Sequence, residues 1–213
     1  MKKNKEIEQY INHLEKQPKG FLYEEKKDNL SQIKMLYQPY RNCTKCPLGQ
    51  LGRTQVVFGE GNPNSNLMFI GEGPGRNEDK QGHPFVGRAG QVFDKIIEAM
   101  NIKRDEIWIS NVVKCRPPNN RVPLPQESSK CTELMLFREI EIIKPKIICT
   151  LGATATQALL GPNAKLSQVR GQIQKYKKTL VVPTYHPAYL LRNPAQKKKV
   201  WQDMQQILKI LKI

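Results

Sequence analysis

Four short apolar runs, separated by segments with helical spacing, limit the fold of this chain more than any other feature of its sequence. The runs cover residues 67–70, 107–110, 146–151 and 180–182. Runs of this length that are bounded by turn residues are typical of buried strands. Residues 92–100, 126–143 and 153–160 instead repeat apolar side chains on one helical face. This alternation predicts an α/β fold, with a central, mainly parallel four-stranded sheet flanked by helices.

The loops that follow the predicted strands are expected to carry the functional site. In open parallel sheets, ligands bind beyond the carboxyl ends of the strands. The segments at these ends are 71–88, 111–125 and 183–193, and they are rich in Gly, Pro, Asn and Arg. We interpret them as loops, with a C-terminal helix beginning after Pro194.

The first 42 residues form a separate segment in this interpretation, a Lys-rich helical extension that precedes a domain over 43–213. Gly20 divides the extension into two parts. Each part places apolar side chains on one helical face. These side chains are Ile7, Tyr10, Ile11 and Leu14 in the first part, and Leu30, Ile33, Leu36 and Tyr37 in the second.

The charge balance favours a polyanionic partner. Lys and Arg number 35 against 19 Asp and Glu, which gives a net charge of +16. Such an excess is typical of nucleic-acid binding, although a solvated Lys-rich surface has the same composition. No apolar run approaches the length of about 20 residues that spans a membrane, and the N-terminus lacks the apolar stretch of a secretory signal. We therefore expect a cytoplasmic protein without membrane contact.

Four of the five cysteines have the pattern of a metal centre. Cys43 and Cys46 form a C-x2-C pair, and Cys115 and Cys131 bracket a Pro-rich loop. A C-x2-C turn offers two thiolates to one centre, which two distant cysteines complete. The spacing fits zinc and an iron–sulfur cluster alike. Cys149 lies inside an apolar run and is expected to be an ordinary core residue, and an odd cysteine count without a secretory signal argues against disulfides.

Four loop residues or segments combine into a candidate binding site, although each has a structural alternative. Residues 71–75 are a Gly-rich turn that does not match a nucleotide-binding P-loop. Phe85 is either a core residue or a stacking surface for a base. Asn111 is either a cap or a reader of a uracil edge, since its amide presents an acceptor beside donors. His186 follows the last strand and either donates to a substrate oxygen or is structural.

Together these motifs resemble the uracil-DNA glycosylase superfamily, and specifically its family 4, the iron–sulfur type. The resemblance covers residues 40–211. It depends on Cys43-x2-Cys46, Gly71-Glu72-Gly73-Pro74-Gly75, the segment 84–90, the segment 111–121 and His186-Pro187-x-Tyr189-Leu190-Leu191-Arg192. Several motifs in one order are far more specific than any of them alone.

The resemblance implies a flipped-base mechanism. Phe85 would stack on uracil, Asn111 would read its O4/N3 edge, Gly73 would contribute backbone and Glu72 would shape the pocket wall. His186 would donate to the uracil O2 oxygen as the bond to the sugar breaks. It also implies a [4Fe–4S] cluster, whose ligands would be Cys43, Cys46, Cys115 and Cys131.

The same resemblance implies contacts with DNA. Leu190 would fill the gap that the flipped base leaves in the duplex. Phosphate contacts are expected from basic side chains around the site. These are Arg88, Arg116, Arg121, Arg192 and the lysines 197–199. The expected partner is uracil-containing DNA, single- or double-stranded, bound by a monomer in a bacterial or archaeal cell.

The group that activates the attacking water stays open. Some superfamily members have an Asp at the position that Gly73 occupies here. Glu78 is a candidate, as is Asp79, and the departing uracil anion is a third source of electrostatic drive.

Two other functions compete with this interpretation. One is a relative that captures uracil-DNA through a histidine after the Asn strand, where this chain has Cys115-Arg116-Pro117-Pro118. The other is a non-catalytic DNA-binding or polymerase-associated subunit. Asn111, Phe85 and His186 together favour the enzyme.

Overall fold

A computed structural model describes residues 2–16 and 29–213 of the chain. Helix α1 spans Lys2–Glu15 and helix α2 spans Asn29–Tyr37. Both lie where the apolar spacing of the first 42 residues predicts helices. Gly20, the predicted break between them, lies outside the described residues.

A single sheet forms the centre of the described part of the chain. Its strands are β1 (Glu60–Gly61), β2 (Leu67–Gly71), β3 (Trp108–Asn111), β4 (Ile147–Leu151), β5 (Gln174–Tyr176) and β6 (Thr179–Thr184). Their order is β1-β3-β2-β4-β6-β5. The inner four are parallel and correspond to the four predicted strands. The α/β class and the mainly parallel sheet are therefore confirmed.

The predicted number of strands is wrong, because the sheet has six rather than four. The two additional strands pair antiparallel at its edges, β1 with β3 and β5 with β6. Strand β1 has two residues and β5 has three, and β5 is only half-buried. Segments this short and this polar give no alternation of apolar and polar residues, so the sequence pattern does not reveal them.

Helices cover both faces of the sheet. They are α3 (Arg76–Gln81), α4 (Arg88–Ala99), α5 (Pro125–Cys131), α6 (Phe137–Ile143), α7 (Ala153–Leu160), α8 (Leu166–Val169), α9 (Pro187–Arg192) and α10 (Lys197–Leu211). A π-helical turn at Thr132–Leu136 joins α5 to α6, so the predicted segment 126–143 is one continuous helix. Short 3₁₀ turns lie at Gln38–Tyr40, Pro47–Gly49, Arg104–Glu106, Pro118–Asn120 and Pro194–Gln196.

Two of the predicted loops contain a short helix. Helix α3 lies within 71–88, and its first turn is held by the Glu78 carboxylate, which accepts from the backbone N–H of Gly75 at 3.1 Å. Helix α9 lies within 183–193 and begins with Pro187, where the missing N–H of proline costs nothing. Neither helix is long enough to show an apolar stripe, so the sequence pattern does not reveal either of them.

The core has two parts, one on each face of the sheet, because side chains alternate along a strand. Phe69 of β2 packs edge-to-face on Phe93 of α4, with ring centroids 5.0 Å apart, in the cluster that also holds Met204 of α10. Ile70 points to the other face, in the cluster that holds Ile140 of α6. Every residue of β2 is buried, as expected for a central parallel strand.

Both N-terminal helices pack on this α/β body. Helix α1 contacts α10, and α2 contacts α6. Ile7 and Ile33 are buried members of the two core clusters. The division of the chain at residue 43 stays a prediction. None of the described helices combines the length and the apolar composition that crossing a bilayer requires.

Replacing Ile33 by Ala is expected to lower the free energy of unfolding by about 2–5 kcal/mol, because it removes a buried side chain from the α2–α6 contact. Met35 is the matched control on the same helix, since it is 70% exposed whereas Ile33 is 4% exposed. Met35→Ala is expected to change stability by less than about 0.5 kcal/mol. Urea unfolding measures the stability of both variants. Equally small losses of stability in the two variants would show that α2 does not contribute to the core.

Candidate active site

A cleft of about 510 Å³ lies at the carboxyl ends of the parallel strands, within the size range of small-molecule sites. It is lined by residues at the ends of β2, β3, β4 and β6 or shortly after them in the chain. Among them are Glu72, Asn111, Gly152 and His186. The strands are parallel and neighbouring, so segments distant in sequence meet at one edge of the sheet.

Asn111 is the last residue of β3, and its side chain lines the cleft. It is 3% exposed, and its Oδ1 accepts no hydrogen bond from any residue that the structure describes. A buried acceptor without a partner is costly, so this oxygen is suited to a ligand donor. Gly71 pairs with Asn111 across the sheet, and a Cβ there would lie 2.4 Å from Oδ1. Only glycine leaves room for the amide.

A buried ion pair holds the backbone of Asn111 from behind. The Lys114 ammonium donates to the Asn111 carbonyl at 2.8 Å and lies 2.7 Å from the Glu139 carboxylate. Both side chains are fully buried. Ser110 lies between them, since its hydroxyl accepts from Lys114 and donates to Glu139. Taking two charges out of water is expensive, and the ion pair together with the bonds through Ser110 offsets part of that cost.

Phe85 lies at the cleft in an uncommon backbone conformation, with φ of 55°. Its ring is 5% exposed, with its centroid 5.8 Å from that of His186 and 29° between the two planes. The Phe85 ring also contacts Phe93, with the two ring centroids 5.0 Å apart. Phe85 therefore belongs to the core cluster and also lines the cleft. Its role as a stacking surface for a base stays a prediction.

His186 is fixed in one tautomer by its own helix. Its Nδ1 accepts from the backbone N–H of Ala188 at 3.1 Å, which leaves the proton on Nε2. Burial lowers the pKa of His186 from 6.5 to about 4, although the nearby Glu78 carboxylate raises it. The imidazole is therefore a neutral N–H donor at physiological pH. Gly152 has φ of 94°, and a Cβ there would lie 3.1 Å from the His186 Cβ, so its small size admits the ring.

Glu78 also lines the cleft, but its oxygens are engaged by the backbone. It accepts from Val86 at 2.9 Å and from Gly87 at 2.7 Å, besides its bond to Gly75. A carboxylate with these three bonds anchors the loop, and its role as a water activator stays a prediction. Asp79, the other acidic candidate, is 2% exposed and accepts from the backbone of Thr54. It is not among the residues that line the cleft.

The remaining predicted residues divide between the cleft and the surface. Glu72 and Gly73 line the cleft, and the Glu72 carboxylate accepts from the hydroxyl of Thr154. Arg121 and Arg192 line it too, but Arg121 makes a bidentate pair with Glu127, at 2.8 Å for each bond. Arg88 is exposed and outside the cleft.

Two further predicted DNA contacts differ from expectation. Arg116 is half-buried and donates to Asn120 at 2.7 Å. Leu190 is 1% exposed and belongs to the core, so in this structure it is not presented to DNA, and its predicted role of filling the duplex gap stays a prediction. Its neighbour Leu191 is 43% exposed on the other side of α9. The phase of the helix decides which leucine is inside, and the motif alone does not reveal it.

The four predicted metal ligands all belong to, or pack against, the core cluster that holds Ile70 and Ile140. Cys43, Cys115 and Cys131 are buried in it and Cys46 packs against it. Burial raises the pKa of Cys115 to about 11, with smaller upward contributions from Cys46 and Cys43 that show their proximity. Burial likewise raises the pKa of Cys131 to about 12, against the lowering effect of Lys114. The backbone N–H of Lys114 donates to the Cys131 sulfur at 3.3 Å.

These thiols form a group without converging on one point. Across residues 2–16 and 29–213, no three His, Cys, Asp or Glu side chains are arranged to hold a single metal ion. Cys149 lies on β4, fully buried in the opposite core cluster, as the sequence predicts for a core cysteine.

Sequence reasoning missed the residues that support the site. Lys114 and Glu139 are separated by 25 positions, and a lone Lys inside the apolar segment 107–115 was the one signal for a buried charge. Gly152 stands directly between a strand and a helix, which is a signal for close approach of the backbone to a ligand or side chain.

Comparison with known proteins assigns the chain to a family. The family model described as the uracil DNA glycosylase superfamily matches residues 58–205. The chain belongs to this superfamily, which confirms the resemblance found in the motifs. Cys43 and Cys46 precede the matched region.

Curated relatives narrow the assignment. The chain is 43% identical to the type-4 uracil-DNA glycosylase of Thermotoga maritima, over 84% of this chain and 95% of that protein. It is 46% identical to the type-4 enzyme of Sulfurisphaera tokodaii, over 84% of both chains. It is 42% identical to that of Saccharolobus solfataricus, over 86% of this chain and 87% of that protein. Within the superfamily, the chain belongs to the type-4 group.

His186 is expected to titrate near pH 4 in the folded protein, well below its ordinary value of 6.5, because burial disfavours the imidazolium. The unfolded chain then binds the proton first as pH falls. The contribution of His186 to stability is therefore complete above pH 6.5 and is lost between pH 6.5 and 4. NMR titration of its ring protons measures the pKa, and a midpoint at or above 6.5 would contradict a neutral donor.

Proposed function

We propose that this chain flips uracil out of DNA into the cleft and hydrolyses the bond between the base and the sugar. Membership of the type-4 group makes it a uracil-DNA glycosylase, a hydrolase of N-glycosyl bonds in DNA repair. The observation that carries the mechanism is the meeting of a neutral His186 donor, the unpaired Oδ1 of Asn111 and the Phe85 ring in one cleft.

Asn111 reads the base in this proposal. Its Oδ1 accepts the N3–H of uracil, and its amide N–H donates to O4. Cytosine presents an amine and an unprotonated N3 at these positions, so both bonds would be lost. Phe85 supplies the stacking surface, an interaction worth about 1–3 kcal/mol per base. Extrusion of the nucleotide is required because the glycosidic bond is inaccessible inside a stacked duplex.

His186 stabilises the leaving base. As the N1–C1′ bond breaks, its electron pair departs with uracil, and negative charge grows on O2. The Nε2–H donates a hydrogen bond to that oxygen without transferring its proton, since the ring is already neutral. Water then adds its oxygen to C1′, and its proton leaves to solvent or to the released uracil anion. A preorganised donor aimed at developing charge costs no reorganisation at the moment of reaction.

We assign no water-activating side chain. Glu78 anchors backbone N–H groups, so its role in this proposal is to hold the loop that carries Phe85. The carboxylates of Glu72 and Glu78 nevertheless place negative charge on the cleft wall. That charge is suited to a sugar that becomes cationic as uracil leaves.

DNA binding is assigned to exposed residues around the cleft. Arg88, Arg192 and the lysines 197–199 are exposed and suited to phosphate contacts. Leu191 replaces Leu190 as the apolar side chain that enters the gap left by the flipped base, because an apolar wedge must be exposed to insert between base steps. The proposed substrate is uracil-containing DNA, bound by a monomeric intracellular enzyme.

We propose that Cys43, Cys46, Cys115 and Cys131 would hold a [4Fe–4S] cluster, in which each thiolate would bind a different iron, so the four sulfurs need not meet at one point. Four thiols share one largely buried region, and burial raises the pKa of Cys115 and Cys131, which disfavours their charged form. Iron cations compensate this cost, because metal binding requires and stabilises thiolates. The backbone N–H of Lys114 on the Cys131 sulfur is the kind of hydrogen bond that tunes such clusters. The cluster would join the N-terminal C-x2-C turn to the loop that follows Asn111.

Uracil excision tests the proposed function. An oligonucleotide with one uracil is incubated with the protein under single-turnover conditions and is then cleaved with alkali at abasic sites. His186→Ala is expected to lower the rate about 10²–10³-fold, since it removes one preorganised donor. Asn111→Ala is expected to lower it as well, whereas His13→Ala, at an exposed histidine of α1, is expected to retain it. Wild-type protein that leaves uracil in both paired and unpaired strands would disprove the function.

Cysteine replacement tests the cluster independently of catalysis. Cys46→Ala is expected to yield protein with less bound iron, weaker visible absorbance and lower thermal stability. Cys149→Ala is the matched control, because Cys149 is buried but lies outside the group of four. It is expected to retain its iron. Equal iron content and absorbance in the two variants would contradict the assignment of Cys46 as a ligand.

A further inference from the structure

Phe85, in the segment 83–87, has a backbone conformation that residues other than glycine rarely adopt. With φ of 55°, a bulky residue there is a genuine outlier. Such a conformation persists only where the surroundings over-determine it. Helix α4 leaves no space for relaxation, since a Cβ on Gly90 would lie 2.0 Å from the Phe85 carbonyl oxygen. The contacts that hold this segment therefore decide where the Phe85 ring lies.

Arg104, in the 3₁₀ turn before β3, holds the carbonyl side of the segment. Its guanidinium donates to the carbonyl of Pro84 and to that of Phe85, the latter at 3.4 Å. These are the carbonyls on either side of the Phe85 nitrogen and α-carbon. The same guanidinium lies 5.9 Å from the centre of the Phe93 ring, on which Phe85 packs. Arg104 thus touches the neighbourhood of Phe85 through both backbone and ring.

Two acidic residues fix the guanidinium in turn. Asp94 of α4 accepts from it at 2.9 Å, and Glu60 of β1 accepts at 3.2 Å. Glu60 also pairs with His83 at 2.7 Å, so it ties the start of the same segment. With two carboxylates and two carbonyls as partners, and with 29% of its side chain exposed, Arg104 is directed at the protein rather than at a DNA phosphate.

The backbone N–H groups that follow Phe85 are held by a negatively charged side chain. Glu78 accepts from the N–H groups of Val86 and Gly87. A cation therefore binds the carbonyls before and at Phe85, and an anion binds the amides after it. Each charge meets the matching end of the peptide dipoles.

We propose that Arg104 is a positioning residue that fixes Phe85 as the stacking surface for the flipped base. This inference builds on the proposed function. Arg104 does not touch the base, and it acts through the conformation of the segment 83–87. Its planar fork is required, since a Lys ammonium keeps the charge but cannot hold two carbonyls and two carboxylates in one plane.

Arg104→Met is expected to lower single-turnover excision by about 10- to 100-fold, as small misplacements of a positioning group do. Arg104→Lys is expected to lie between Arg104→Met and wild type. The matched control is Arg138→Met, which removes an arginine that is 65% exposed and pairs with Glu141 on α6. It is expected to match wild type.

A double-mutant cycle separates positioning from other roles. In a Phe85→Ala background, Arg104→Met is expected to have almost no further effect on the rate, because the residue through which it acts is gone. Equal losses in both backgrounds would overturn the inference. If Arg104 instead contacted a DNA phosphate, Arg104→Met would reduce the slope of DNA affinity against salt concentration by about 1. That result would also overturn the inference, since a positioning residue leaves this slope unchanged.

Hydrogen exchange provides a readout that needs no activity. Arg104→Met and Arg104→Lys are expected to accelerate exchange in peptides that span 82–90, with the remaining peptides unchanged. The Arg138→Met control is expected to leave this segment protected. Failure of wild-type protein to excise uracil would refute the proposed function, whereas unchanged exchange in both Arg104 variants would refute the positioning role itself.

Discussion

The parallel register of the four inner strands is the constraint on which the rest of the structure depends. Gly71 pairs with Asn111 across β2 and β3, and Leu151 pairs with Thr184 across β4 and β6. These pairs lie at the carboxyl ends of their strands, so the loops that follow them meet at one edge. A shift of one residue would turn each strand's side chains to the opposite face. The Asn111 amide and His186 line one cleft because this register brings the strand ends together.

Buried charge keeps that edge rigid. Lys114 and Glu139 are both fully buried, and such a pair rarely adds net stability over apolar side chains. Its geometry gives it another role, because Lys114 binds the Asn111 carbonyl through its ammonium and the Cys131 sulfur through its backbone N–H. Glu139 lies on α6, which continues from the helix that carries Cys131. Lys114 thus links the end of β3 to the group of four cysteines.

Features with strong local signals could be predicted from the sequence, and features set by long-range packing could not. The inner strands, the helices between them and the grouping of Asn111 with His186 follow from apolar runs and chain order. The edge strands are too short for any periodicity. Leu190 and Leu191 are chemically identical, and only the docking of α9 decides that Leu190 is buried. Arg104 binds Glu60 and Pro84, 44 and 20 positions away, and no local pattern records such partners.

The electrostatics of the cleft favour charge separation over proton transfer. Burial keeps His186 neutral even though the Glu78 carboxylate acts in the opposite direction. In the proposed mechanism a neutral imidazole does not protonate uracil, so the base would leave as an anion held by Nε2–H and by the Asn111 amide. The positive charge left on the sugar then faces a wall that carries Glu72 and Glu78. Asn111 and Phe85 are both buried, and electrostatic interactions are stronger among buried groups than in solution. The proposed mechanism therefore combines neutral hydrogen-bond donors with carboxylates in one cleft, and it requires no general acid.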